Sequence, residues 1–310
     1  MNLQDRALLV SLSCRAWSAK KQDKKLNAET ASHHGISEDQ LRTDRKLFVG
    51  DPLKTIRNAQ NHARQFFHDQ TLPWDNEGQR VLATSNFAAF EDGMTKIRTN
   101  EFEPALRDLI LNYPDLLDKA RIALNGTFDP DQYPASDVLA SKFGIEWKFL
   151  PFPVVASDWR VKGIDADMEV FADKIRAGVE KSVHSGMRDV WVRLHAVASG
   201  VVERLADVTE GEAGKFHGAS MVRTANEVCE LLPRLNLLED PKLDDLVKRL
   251  KAKVNQYAPG ALRADPRLRQ EVRDAVVALR DEAEAILEPV GTDETEINQQ
   301  TAGSTMEAFS

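Results

Sequence analysis

The sequence predicts a mainly α protein with a small β-sheet, an α+β fold whose C-terminal half is a long-helix bundle or a helical hairpin. Three observations carry this expectation. Met168, Phe171, Ile175, Val179, Val183, Met187, Val190, Leu194, Val197, Val201 and Leu205 recur every three or four residues from about Asp165 to about Asp207, an unbroken apolar stripe over roughly 60 Å of helix. Further stripes of the same period follow between residues 220 and 287. Two stretches within the first 160 residues instead alternate with the period of two that marks a half-buried strand.

The first of these strands places Val10, Leu12, Cys14 and Ala16 on one side and Ser11, Ser13, Arg15 and Trp17 on the other. The Lys20–Lys25 run after it reads as a solvated turn, and His33-His34 before Gly35 as a solvated loop. Asp51-Pro52 opens a helix, since proline suits a first turn. Its apolar face is Leu53, Ile56, Ala59, Ala63 and Phe66 or Phe67, and Pro73 closes it by disfavouring helix at Leu72. Asp75–Gln79 reads as a turn. Three helices are expected next, about Asn86–Asn100, Glu103–Leu111 and Pro114–Leu124, with Gly126 stopping the last. A short helix, Ser136–Phe143, ends at Gly144. Ile145, Trp147 and Phe149 then alternate against Glu146, Lys148 and Leu150 as the second strand. Pro151 and Pro153 cannot donate to a ladder, so this strand is an edge strand or ends there, beside the first.

After the long helix, Gly211 and Gly214 act as a stop. A helix follows over about Ser220–Leu232, disturbed at Pro233, and Asp240-Pro241 and Asp265-Pro266 open two more. From Pro289 the chain is polar and acidic with almost no large apolar residue, as in disordered segments. The expected organisation is an α+β region over 1–160, a long-helix bundle over 161–288 and a disordered acidic tail over 289–310.

Composition narrows the function classes. With 42% hydrophobic and 29% charged residues the chain is of ordinary globular type. No apolar run approaches the roughly 18 residues of a membrane span, and the first residues lack the basic and apolar regions of a signal peptide. A cytoplasmic protein is expected. Cys14 and Cys229 are far apart and expected as reduced thiols. The net charge of −8 argues against a general nucleic-acid coat. The balance is uneven, because residues 1–80 hold 13 Lys and Arg against 10 Asp and Glu, leaving about −11 for the remainder.

Catalytic signatures are missing. HExxH, CxxC, GxSxG, GxxxxGK[ST] and GxGxxG do not occur, so no metal site, nucleophile elbow or phosphate loop is expected and no cofactor is called for. The carboxylate groups Asp165/Asp167/Glu169, Glu239/Asp240, Asp244/Asp245 and Glu282/Glu284 sit at helix starts or on charged faces, where the helix dipole favours acids. A metal-dependent hydrolase with an unrecognised site is the third functional reading.

Two features invite a binding role. Arg15, Trp17, Lys20, Lys21, Lys24 and Lys25 join positive charge to an aromatic side chain, as phosphate contact with base stacking requires. The plainer alternative is that lysines beside an edge strand blunt aggregation. On the long helix, Gly178, Ser182 and Gly186 form a small-residue line where another backbone can approach. Its stripe is either an internal bundle core or a self-association seam, as in a coiled coil.

The succession Thr71-Leu72-Pro73-Trp74 with Gly78-Gln79-Arg80, then Tyr133-Pro134-Ala135, Pro151-Phe152-Pro153 and Asp158-Trp159-Arg160-Val161 resembles the DUF3150 family of phage, prophage and bacterial proteins. Asp189-Val190-Trp191-Val192-Arg193-Leu194 and Leu235-Asn236-Leu237 before Asp240-Pro241 extend the resemblance over about Val10 to Val254. No activity is implied by it. It implies a protein partner, with MoxR-like AAA+ ATPases and von Willebrand A-type proteins as candidates. The leading expectation is a non-catalytic phage-type interaction protein, an adaptor or partner of an AAA+ ATPase system working through its helical half. A single-stranded nucleic-acid binder is the alternative.

Overall fold

In a computed structural model, the described residues are 5–74, 78–152, 166–206 and 218–287; side chains at 166–172 and 175 are not described. The chain divides into two compact units, Met1–Val179 and Glu180–Ser310. It is mostly helical with a small antiparallel sheet, as the apolar periodicities require.

In the first unit, β1 (Ala7–Arg15) is an inner strand of a four-stranded sheet. Its neighbours are β5 (Gln79–Ala83) and β6 (Gly144–Pro151), with β4 (Leu72–Pro73) beyond β5. Sequence alternation placed β6 beside β1, and the register runs from Leu8 opposite Pro151 to Arg15 opposite Gly144. Pro151 closes this edge strand, where a missing donor is tolerated. Ile145 is buried, Trp147 and Phe149 are half-buried, and Glu146, Lys148 and Leu150 are exposed. Periodicity missed β4 and β5, because Arg80 and the short apolar run Val81–Ala83 show no alternation.

The Lys20–Lys25 run is not a solvated turn. Lys20–Gln22 form β2, paired antiparallel with β3 (Asp44–Lys46). Asp23 then caps α1 (Lys24–His34) by accepting from the Leu26 amide at 3.1 Å. His33 and His34 are the last turn of that helix, not a loop. Gly35, at φ +66°, ends it in the left-handed conformation open to glycine.

The helix expected after Asp51-Pro52 is α2 (Lys54–Asp69), with Ile56, Ala59, Gln60, Ala63 and Phe67 buried. The buried Gln60 amide donates to the carbonyls of Arg15 at 2.5 Å and Gly144 at 3.2 Å, tying α2 to the end of the β1–β6 ladder. The three separate helices expected over 86–124 are one continuous rod: α3 (Phe87–Ile97), a π-helical turn (Arg98–Phe102) and α4 (Glu103–Leu124). Pro114 lies inside α4 on its exposed side. Buried Leu109, Tyr113 and Ala120 flank it and hold both halves on the core, so tertiary packing overrides the local break. Asn125, at φ +45°, caps this helix rather than Gly126. The expected Ser136–Phe143 helix is a four-residue α5 (Ser136–Leu139) continued by a 3-10 turn.

Around the core of this unit, Val10, Leu82 and Ile145 from the sheet meet Phe67, Phe90, Met94 and Tyr113 from the helices. Phe48, just after β3, joins Tyr113, Tyr133 and Trp17 edge-on, with centroids 6.1, 5.5 and 5.7 Å away. Both tyrosines hold loop carbonyls: Tyr133 Oη donates to Leu47 O at 2.6 Å and Tyr113 Oη to Pro134 O at 2.8 Å.

The long stripe is a single helix, α6 (Ala166–Ala206), crossing the boundary between the units. From Val183 onward its stripe positions Val183, Met187, Val190, Leu194, Val201 and Leu205 are buried within one chain, and Val197 is half-buried. The second unit continues with α7 (Gly218–Leu235), α8 (Pro241–Val254), α9 (Pro259–Ala264) and α10 (Pro266–Leu287). Pro233 stands near the end of α7 without breaking it. Asp240 caps α8, accepting from the Lys242 amide at 2.9 Å, and Leu243, Leu246, Val247, Leu250 and Val254 are its buried face. Asn226 and Asn255 exchange side-chain amide hydrogen bonds of 3.1 and 2.7 Å across α7 and the end of α8. The short α9 was not foreseen. It is fixed by Arg269, 8% exposed, which donates to the carbonyls of Leu262 at 2.8 Å and Arg263 at 3.0 Å.

The expected Asp75 turn, the Asp158-Trp159-Arg160 motif, the Gly211/Gly214 stop and the 289–310 tail lie outside the described residues, Gly78 and Gln79 excepted.

Candidate functional site

The basic cluster does not form one patch. Arg15 ends β1 and its guanidinium pairs with Glu146 of β6 at 2.7 Å, so its charge is met within the ladder. After Arg15 the chain leaves the sheet, which exposes Ala16 and turns Trp17 inward against Phe48. Trp17 therefore does not share the exposed side with Arg15, as alternation had placed it. Lys24 and Lys25 occupy the exposed first turn of α1, where the dipole disfavours cations.

Lys20 and Trp17 do come together. They line a groove of about 450 Å³ with Ala19, Lys46, Phe48, Gly50, Asp51, Leu53 and Arg57. In the β2–β3 register Lys20 stands opposite Lys46 and Lys21 opposite Arg45. Period two puts the second pair on the other face of the ribbon, where Arg45 reaches Asp23 at 3.7 Å and Gln132 at 3.2 Å. Like charges directly opposite are destabilising, yet neither Lys20 nor Lys46 has a carboxylate partner among the described residues. Arg57, also in the lining, is paired with Asp51. Sequence reasoning missed Lys46 and Phe48, because only the pairing of β2 with β3 brings them to Trp17.

The small-residue line runs from an exposed to a buried position. Gly178 is exposed, and a Cβ there would meet nothing within 4 Å among the described residues. Ser182 is half-buried and Gly186 is buried.

A further feature had no signal in the sequence analysis. Asp108, Leu111, Asp115, Asp118 and Ile122 follow one another by three or four residues along α4, opposite its buried face. Leu111 and Ile122 are 80% and 81% exposed. The line carries three carboxylates and no cation, with Arg107 and Lys119 flanking it and Asp118 pairing with Arg121 at 3.4 Å.

Of the carboxylate candidates, Asp165 and the side chains of Asp167 and Glu169 are not described, and others have structural partners. Asp240 is a cap, Asp244 accepts from Asn236 at 3.3 Å, and Asp245 and Glu282 both hold Arg249. Among the described residues no three His, Cys, Asp or Glu side chains gather as metal ligands. Cys14 is half-buried and Cys229 buried, and neither forms a disulfide. Burial pushes both thiols up, Cys229 to about 11, so the nucleophilic thiolate is suppressed at neutral pH. Among the described residues no helix is long and apolar enough to cross a membrane.

No family model, no curated protein and no solved structure matches the chain.

Proposed function

We propose that this chain is a non-catalytic interaction protein of phage or prophage type that docks a protein partner, serving as an adaptor or partner of an AAA+ ATPase system. The observation that carries the docking role is the α4 line, in which Leu111 and Ile122 stand almost bare three helical turns apart with carboxylates between them. Single exposed aliphatics are common on protein surfaces. Two on one line, alternating with acids, complement an amphipathic helix that is apolar and basic. The resemblance to DUF3150 proteins supports an ATPase or a von Willebrand A-type protein as the owner of that helix. This reading sets the docking face on α4, because most of the α6 stripe from Val183 onward is buried within its own chain.

The test is co-expression with AAA+ and von Willebrand A-type proteins encoded beside this chain, followed by co-purification and light scattering. A complex lost in Leu111→Asp/Ile122→Asp, with the circular dichroism unchanged, supports the reading. Complexes that survive this variant remove α4 as the docking face, and no complex with any neighbour removes the adaptor role.

A further inference from the structure

We infer that the groove between Trp17 and the β2–β3 ribbon binds single-stranded nucleic acid, with a backbone phosphate between Lys20 and Lys46 and the attached base against Trp17. This site is separate from the α4 line and stands whether or not α4 docks a partner.

The first ground is charge. Cross-strand partners hold their Cβ atoms roughly 4.5–5.5 Å apart, so the Lys20 and Lys46 ammonium groups can converge on one anion. No carboxylate among the described residues neutralises them, and a bound phosphodiester would turn a repulsive pair into a bridged one. The second ground is the aromatic wall. Trp17 is half-buried and braced edge-on by Phe48; an indole held in this way is ordered before the ligand arrives, which lowers the entropy lost on stacking.

The third ground is a hydrogen-bond acceptor in the lining. Asp51 lines the same groove while paired with Arg57. A carboxylate has about four lone-pair sites, so Asp51 retains acceptor capacity for the N–H edge of a base. The groove thus joins in its lining a lysine pair, an aromatic side chain and a carboxylate acceptor, groups that suit a phosphate, a base face and a base edge. Its volume of about 450 Å³ falls in the range of roughly 300–1,000 Å³ for small-ligand sites. Two lysines without a loop of convergent backbone amides suit the single charge of a phosphodiester better than a free di- or triphosphate.

The test uses the full chain and a short fluorescein-labelled oligothymidylate, read by anisotropy at low and moderate salt. Binding should weaken with salt and fall about tenfold or more in Lys20→Gln/Lys46→Gln and in Trp17→Ala. It should change less than about twofold in Lys24→Gln/Lys25→Gln, which removes equal charge outside the groove. Thermal melts establish that each variant is folded; if Trp17→Ala melts early, Trp17→Leu replaces it. Equal loss in the two lysine pairs would show general attraction to basic surface and overturn the assignment. So would absent binding at low salt, binding of free thymidine monophosphate without the oligonucleotide, or tighter binding of an oligoglutamate peptide.

Discussion

Phe66 and Gly93 meet without room for another carbon: a Cβ on Gly93 would fall 2.0 Å from Phe66 Cζ. Phe66 in turn stacks on Phe90 with centroids 6.3 Å apart, so the glycine sets how closely α2 and α3 approach. Gly93→Ala gains about 1 kcal/mol of helix propensity but forces the ring or the helix to shift, at about 1–3 kcal/mol. The net effect expected is a loss of stability in urea unfolding. Adding Phe66→Leu should recover part of it, a coupling that a double-mutant cycle reads directly.

Lys20 and Lys46 lead to a trade between stability and binding. Lys46→Glu converts a like-charged cross-strand pair into an opposite one, and should raise stability by about 0.2–1 kcal/mol. The same change should weaken oligonucleotide binding. A variant that loses stability in chemical denaturation would contradict the register of β2 with β3.

Tyr113 makes a pH-dependent contribution. It is 1% exposed, and burial, with Tyr133 beside it, raises its hydroxyl to about 12. Its folded-state value lies above the unfolded value of about 10. Its contribution is therefore complete below about pH 10 and is lost as pH rises toward about 12. Tyr113→Phe should flatten that fall, while losing about 1 kcal/mol at neutral pH with the hydrogen bond to Pro134 O. Denaturation curves of both proteins across the alkaline range measure the two effects.

Arg269 holds α9 to the start of α10 by its forked bonds to Leu262 O and Arg263 O. Arg269→Met keeps the stem and removes the fork, leaving the two carbonyls without their donor. A destabilisation of about 1–3 kcal/mol is expected, with faster amide exchange confined to 259–266. Exchange spread uniformly over the second unit would contradict a local clamp.

Cys14 and Cys229 should resist alkylation near neutral pH, since burial raises both thiols. Cys14, half-buried, should react first, and Cys229 only on unfolding. Mass spectrometry of the folded and urea-unfolded chain resolves the order.

Local pattern determined those parts of this protein whose information is local. The period of α6, the Asp-Pro openings of α8 and α10, and the alternation of β1 and β6 could all be read in the sequence. Spacing decides the buried face in α6, β1 and β6, while an aspartate cap and a first-turn proline start α8 and α10. Tertiary structure decided the rest. Pro114 marks a break in the sequence, yet Leu109, Tyr113 and Ala120 share one core and carry the helix through it. The Lys20–Lys25 run looks solvated, yet β3 from twenty residues later gives half of it a partner strand. The candidate groove belongs to the same class. Trp17 and Lys20 were visible in the sequence, but Lys46, Phe48 and Arg57 are brought to them by pairing and packing, which act on distance in space and leave no periodic trace along the chain.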